Sequence, residues 1–199
     1  MMIIAETNFI IELALEQAEA EQVESIVEWA EEERINLAIP AFAFTEAYVN
    51  LALQSKRRND VQNRLLAEIK QMSRSRAYAG ISQSPNSIIE ALSSFDTEHY
   101  SKLAKVARRL SAVAKLISVT DEVIEKIPER RDGLDLETGD ACICACVECY
   151  ARDLKGTTSY FVTKDKDFER ARSLLEAHKC QLISGFGAAF GAIRERAVY

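Results

Sequence analysis

The sequence predicts an α/β protein: a parallel five-stranded sheet in a three-layer α/β/α sandwich, with extra helices in the middle of the chain. Five short apolar runs supply the strands: Met2 to Ala5, Ile35 to Ile39, Ile117 to Val119, Tyr160 to Val162 and Gln181 to Ile183. Each is bounded by polar or turn residues and is too short for a helix. The segments between them carry apolar residues at helical spacing, and runs alternating with helices build βαβ units, whose strands are parallel and covered on both faces. Only 7 glycines and 3 prolines in 199 residues argue against a turn-rich all-β chain.

In order along the chain, Phe9 to Leu15 reads as a first helical segment. Glu16 to Glu33 is acidic, but Val23, Ile26, Val27 and Ala30 recur on one face, so it reads as an amphipathic helix with a solvated acidic side. Pro40 ends the second run. A helix follows from about Ala43, carrying Glu46 in its first turn, with a break expected near Asn59. A turn at Ser82 to Asn86 and a short helical segment at Ile88 to Leu92 come next. Phe95 to Leu116 repeats Tyr100, Leu103, Ala107, Leu110 and Ala114, with Asp96 or Thr97 placed to cap it. Asp121 to Ile127 reads as a short helix ended by Pro128, and Glu129 to Asp135 as a charged loop. Thr138 then reads as the N-cap of a helix running to about Leu154, which Gly156 stops. Phe168 to Lys179 and Gly185 to Ala197 are the last helices. Residues 1–199 read as a single domain with a helical elaboration over about 56–116.

Composition removes several function classes. A net charge of −6 gives no global basic footprint, so a nucleic-acid partner would be held by local patches or through cations. No stretch reaches the ~18 apolar residues of a membrane span, and the first residues lack a basic leader segment. Four of the five cysteines, Cys142, Cys144, Cys146 and Cys149, share one helix, which is no disulfide framework and suits a reducing cytoplasm. Cys142, Cys146 and Cys149 lie along one helix face, where cysteine packs as a small apolar residue. Two histidines, His99 and His178, both in polar helical settings, argue against a histidine metal site. The cations Lys102, Lys105, Arg108 and Arg109 read as a solvated helix face.

Chemistry concentrates in acids placed after strands. Glu6 follows the first run, Glu46 opens the helix after the second, Asp140 opens the helix leading into the fourth, and Asp165 follows the fourth. In a parallel sheet these positions can meet beyond the carboxyl ends of the strands, where ligands bind. Each acid alone also reads as a cap or first-turn residue complementing the helix dipole. Four together, on separate segments, point to a cation, because like charges raise one another's pKa values. Oxygen donors select Mg²⁺ or Mn²⁺, and such ions activate water at a phosphodiester.

The strings Ile4-Ala5-Glu6-Thr7-Asn8-Phe9-Ile10, Pro40 through Thr45-Glu46, Thr138-Gly139-Asp140-Ala141-Cys142-Ile143 and Val162-Thr163-Lys164-Asp165-Lys166-Asp167-Phe168 resemble the four acidic motifs of PIN-domain ribonucleases. The resemblance covers the ends of the chain and not the middle, roughly residues 60 to 115. It implies Mg²⁺- or Mn²⁺-dependent cleavage of an RNA substrate. It implies a toxin of a toxin–antitoxin pair with an antitoxin protein as partner, and a homodimer. Carried over by position, Glu6, Glu46, Asp140 and Asp165 are metal ligands, with Asp167 a further acid. Asn8 and Thr163 orient carboxylate or water. The family's first acid is usually Asp in Asp-Thr-Asn; here it is Glu6, one methylene longer, with Glu137 one turn before Asp140 as a partial compensation. Lys56, Arg57 and Arg58, or Lys164 and Lys166, are placed to steer phosphates.

Two functions stay open on these residues: a metal-dependent ribonuclease, or a catalytically weak PIN-fold module that binds RNA or protein. A nucleotide- or cofactor-binding enzyme is disfavoured because no glycine-rich phosphate loop follows the first strand.

Overall fold

The computed structural model describes residues 1–75, 86–155 and 157–197. Five strands, β1 (Met2–Ala5), β2 (Asn36–Pro40), β3 (Lys115–Ile117), β4 (Ser159–Thr163) and β5 (Cys180–Ser184), form one sheet in the order β3-β2-β1-β4-β5. Every pair is parallel. The predicted fold class is what the chain adopts. The central strands are the most apolar ones: Ile3, Ile4, Phe161 and Val162 are fully buried, as a strand covered on both faces requires. At the edge, β5 alternates over its first four residues, with Cys180 and Leu182 buried and Gln181 and Ile183 more exposed, and its last residue, Ser184, is exposed.

The chain separates into two compact units, Met1–Ala47 with Leu103–Tyr199, and Tyr48–Lys102. The first holds the sheet. On one of its faces lie α1 (Thr7–Ala14), α2 (Ala20–Glu31) and α8 (Phe186–Ala197). Phe9 meets Phe186 edge-on at 5.5 Å between ring centroids, and Trp29 stacks on Phe190 at 5.0 Å. The valine, isoleucine and alanine stripe read in α2 is its buried face. Against other parts of the sheet pack α6 (Thr138–Asp153), on β2 and β3, and α7 (Arg172–Glu176), on β5, while α5 (Asp121–Leu134) packs on α6. Helix α6 is buried over most of its surface, which is why its residues are small: Ala141, Cys142, Cys144, Ala145 and Cys146 let it approach the strands closely. All five cysteines are free and buried.

The second unit comprises residues 48–102 of α3 (Ala41–Met72) and α4 (Asn86–Val113). Asp96 accepts from Ser55 Oγ at 2.6 Å and from Arg58 Nε at 2.8 Å, and the Arg58 guanidinium sits 5.1 Å from the Phe95 ring centroid. Leu51 and His99 are buried, His99 among the charged groups Asp96, Glu98, Arg58 and Lys102.

Several boundaries differ from the sequence expectation. Helix α3 does not break near Asn59. Its later apolar residues, Val61, Leu65 and Leu66, are exposed, so the lost periodicity reflects solvent on that stretch, while a run of Lys, Arg, Gln, Leu and Glu keeps the helix going on propensity. Helix α4 is continuous from Asn86 to Val113, and Asp96 spends its carboxylate on Ser55 and Arg58 in place of capping. The turn expected around Pro85 and the stop at Gly156 lie outside the described residues. Strand β3 falls at Lys115–Ile117, two residues earlier than expected, because its pairing is set by Ala38↔Lys115 and Pro40↔Ile117. Pro40 sits in the last position of β2, past the register with β1, so its missing N–H removes no bond from that ladder. Pro128 lies inside α5, which runs on through the expected loop to Leu134. Thr138 is the first helical residue of α6, with Glu137 in the cap position and no side-chain cap bond. Phe168 to Lys179 is a 3₁₀ segment, Lys166–Ala171, followed by the short α7. Among the described residues no helix is long and apolar enough to cross a membrane.

Candidate functional site at the carboxyl ends of the strands

The strand order reverses direction at β1: one crossover series leads from β1 out to β2 and β3, the other from β4 to β5. Such a switch point opens a crevice beyond the strand ends because neighbouring connections leave on opposite faces. Glu6 to Asn8, which follow β1, and Thr163 to Asp165, at the end of β4 and just beyond it, stand there.

Glu6 occupies the N-cap of α1 and is only 3% exposed. Its Oε2 accepts the Asn8 backbone N–H at 2.6 Å, and its Oε1 accepts the Thr163 hydroxyl at 3.1 Å. Thr163 Oγ1 in turn accepts the Asp165 N–H at 2.9 Å. Burial pushes the Glu6 carboxyl up to about 8, against the lowering pull of these two bonds and with the help of nearby Glu46 and Asp165. One carboxylate thus caps the helix and meets the end of β4 together.

Glu46, in the first turns of α3, accepts the Thr7 hydroxyl. Burial raises its pKa, and Asp165 and Glu137 add to the rise. Asp140, in the first turn of α6, is pushed up to about 7, first by burial, then by Asp165, Glu46, Glu137 and Asp167. Gly139 packs directly on Glu46: a Cβ there would collide with the Glu46 carboxylate. The backbone of α6 and the side chain from α3 therefore meet only because residue 139 has no side chain. Asp165 Oδ1 accepts the Asp167 N–H at 2.8 Å, which starts the 3₁₀ turn, and Asp167 itself is exposed.

Glu46 and Asp165 thus lie near enough for their charge to act on both Glu6 and Asp140, and Glu137 and Asp167 lie at the margin. Among the described residues, no three His, Cys, Asp or Glu side chains already surround a common ligating point. The donor set, all carboxylate and short of positive charge, fits a hard divalent cation that keeps several waters and takes one or two protein carboxylates. Asn8 acts on Glu6 through its backbone N–H.

Three participants escape sequence reading. Thr7 is visible only as the middle of Glu-Thr-Asn. Gly139 is a glycine inside a helix, a signal of close approach. Glu12 of α1 gives no sequence signal, yet it is 1% exposed and takes Lys164 Nζ at 3.0 Å. Lys164 is therefore engaged with α1, unlike the phosphate-steering residue the sequence suggests. Arg58 is likewise engaged, with Asp96.

An all-parallel α/β/α fold with carboxylates gathered at its switch point defines the class of protein. The sequence profile of the PIN domain matches residues 3–168, so the match runs through the middle segment that the motif resemblance leaves out. The chain belongs to the PIN domain family, whose members are generally nucleases and typically use divalent metals. Among solved structures it is similar to the crystal structure of VapBC2 from Rickettsia felis bound to a DNA fragment from their promoter, at 14% identity and a TM-score of 0.49, over 93% of this chain and 99% of that chain. No curated protein sequence matches the chain.

Proposed function

We propose that the chain is a divalent-metal-dependent endoribonuclease that hydrolyses RNA phosphodiesters with water as nucleophile. The observation supporting this is the set of carboxylates at the strand ends, a buried Glu6 bonded to Thr163 beside Glu46, Asp140 and Asp165, where burial first and then the neighbouring acids raise Glu6, Glu46 and Asp140. Such a cluster is unfavourable by itself and is relieved by a cation. Glu6, Glu46, Asp140 and Asp165 would hold it, with Mg²⁺ or Mn²⁺ the natural choices for oxygen donors. When bound, the ion supplies a water acidified toward neutral pH and stabilises charge on the phosphoryl oxygens. The chain's own part is positioning. Thr7 holds the Glu46 carboxylate, Thr163 joins Glu6 to the Asp165 backbone, and the start of α6 aims Asp140 at the strand ends. Lys166, exposed beside the turn, is available to draw in phosphate. A toxin role with an antitoxin protein as partner rests on family membership alone.

Cleavage of a generic single-stranded RNA tests the reading. Wild type is expected to cut with Mn²⁺ or Mg²⁺, to stop on chelation and to be resupplied by either ion, and Asp140→Asn is expected to lose at least ~10²-fold. Wild type and Asp140→Asn equally inactive at stoichiometric enzyme would remove the nuclease.

A second reading, a catalytically weak module that binds RNA or protein, is favoured by one observation: both Glu6 oxygens are already bonded, to Asn8 and Thr163. Mn²⁺ titration separates the two, since the module shows no saturable binding that Asp140→Asn removes.

A further inference from the structure

Lys164 sits between Thr163 and Asp165, at the point where β4 ends and the acid site begins. Side chains alternate along an extended segment. Thr163 reaches Glu6, Lys164 goes the other way to α1, and Asp165 returns to the other acids. On its own side Lys164 is held by two carboxylates. Its Nζ lies 3.0 Å from Glu12 Oε2 and 3.8 Å from Glu19 Oε2. Neither carboxylate is a loose surface group. Glu12 is 1% exposed, and its Oε1 accepts the Glu19 backbone N–H at 2.5 Å. Glu19 Oε2 accepts the Phe186 N–H at the start of α8 at 3.0 Å. Behind the turn, Gly185 N–H bonds Thr163 O at 2.7 Å. One ammonium thus ties together α1, the loop leading into α2, the end of β4 and the start of α8.

We propose that Lys164 is a positioning residue, braced by Glu12 and Glu19, which fixes the phase in which Thr163 and Asp165 face the acid site; it is not a phosphate contact. The proposal rests on the nuclease reading above. An exposed lysine beside a nuclease site would ordinarily be assigned to substrate phosphate. Here the amine is committed to a nearly inaccessible carboxylate. A phosphate taking the amine would leave the buried Glu12 charge without this cation, which disfavours the exchange.

Two measurements on the full chain test this, with Mn²⁺ alone as the probe in the first. Mn²⁺ affinity is read from the electron paramagnetic resonance of the free ion for wild type, Asp140→Asn, Lys164→Arg and the paired variant Glu12→Gln/Lys164→Met. The pair removes both charges together, and Gln retains an acceptor for the Glu19 N–H. The expected result is saturable binding by wild type, near-wild-type binding by Lys164→Arg, and binding about 10- to 100-fold weaker in the paired variant, the usual effect of removing a group that orients a ligand. The second measurement is single-stranded RNA affinity against salt, in an Asp140→Asn background. Removing Lys164 is expected to leave affinity and salt slope unchanged, whereas a lost phosphate contact lowers the slope by about one.

Wild type that binds no Mn²⁺ in a manner sensitive to Asp140 overturns the nuclease reading itself. Wild type that binds, beside a paired variant that binds equally well, overturns the positioning role alone, as does a reduced salt slope. If the paired variant does not fold, Lys164→Gln, one atom shorter and uncharged, takes its place. Unchanged Mn²⁺ affinity there is equally decisive against the proposal.

Discussion

At Gly139 and Glu46 the site depends on an atom that is not there. A Cβ at 139 would collide with the Glu46 carboxylate, so Gly139→Ala must shift that carboxylate from its place beside Thr7. Displacement of about an ångström costs on the order of 100-fold in rate. Alanine is also the better helix former, by up to ~1 kcal/mol, so activity and helix propensity are expected to move in opposite directions. G139A with wild-type kcat/KM, or with a collapsed fold, contradicts this account; kcat/KM and a urea midpoint on one preparation decide it. Thr7 and Thr163 belong to the same scale. Each donates its hydroxyl to one carboxylate, Glu46 and Glu6 respectively, and neither is exposed enough for water to replace it readily.

At the scale of elements, α5 and α6 show what composition does not tell. A proline inside a helix costs ~3 kcal/mol or more, and Pro128 lies seven residues into α5, yet the helix continues. Lys126 and Arg130 flank the proline, and both bond the buried Glu148 of α6, at 2.8 Å and at 2.7 and 3.1 Å. Burial alone would raise the Glu148 carboxyl, but the two cations hold it below the ordinary range. A partner on another helix thus braces α5 on both sides of the proline. Glu148→Ala leaves Arg130 buried without that partner and is expected to cost about 3–5 kcal/mol, while Arg130→Met/Glu148→Leu costs far less. Urea denaturation of both measures it, and a Glu148→Ala cost under about 1 kcal/mol would mean the network does not hold α5. This is why the strands were readable and the helix ends were not. A buried parallel strand announces itself in its own residues, as Met2–Ala5 and Ser159–Thr163 do. The continuity of α3, α4 and α5 depends on solvent exposure, on Asp96 turning to Ser55 and Arg58, and on Glu148, all long-range facts. The acids Glu6, Glu46, Asp140 and Asp165 could be listed from sequence because each follows or leads into a strand. Thr7 and Gly139 stand inside the same motif strings, but their contacts with Glu46 are not legible there, because they exist only between elements, and Glu12 gives no signal at all.

For the whole molecule, a switch point that gathers carboxylates makes the metal-free fold sensitive to pH in a fixed direction. Burial first, and then neighbouring acids, raise Glu6 from 4.5 to about 8 and Asp140 from 3.8 to about 7, and Glu46 also shifts upward. Between the unfolded and folded values the native chain holds protons that the unfolded chain has released. Stability is therefore fully present below the unfolded pKa values and is lost as pH rises toward the folded ones, over a window from about 4 to 8. The carboxyls held low, Glu31, Asp96, Glu122, Asp132, Glu148 and Glu169, act in the opposite sense but below their ordinary pKa values, outside most of that window, while His99, lowered by burial, opposes the trend within it. Glu6 alone sets a bound on the order of 5 kcal/mol, from about 8 in the folded chain against 4.5 in the unfolded one at ~1.36 kcal/mol per pKa unit. Metal-free protein is thus expected to unfold at a clearly lower urea concentration at pH 8 than at pH 5.5. Glu6→Gln, which keeps an oxygen for the Asn8 N–H, is expected to flatten much of that slope. Saturating Mn²⁺ is expected to remove it in wild type by stabilising the ionised cluster. A metal-free stability constant from pH 5.5 to 8, or a Glu6→Gln profile parallel to wild type, would show that the acids do not share one unfavourable field, and the electrostatic case for a cation at the switch point would fall with it.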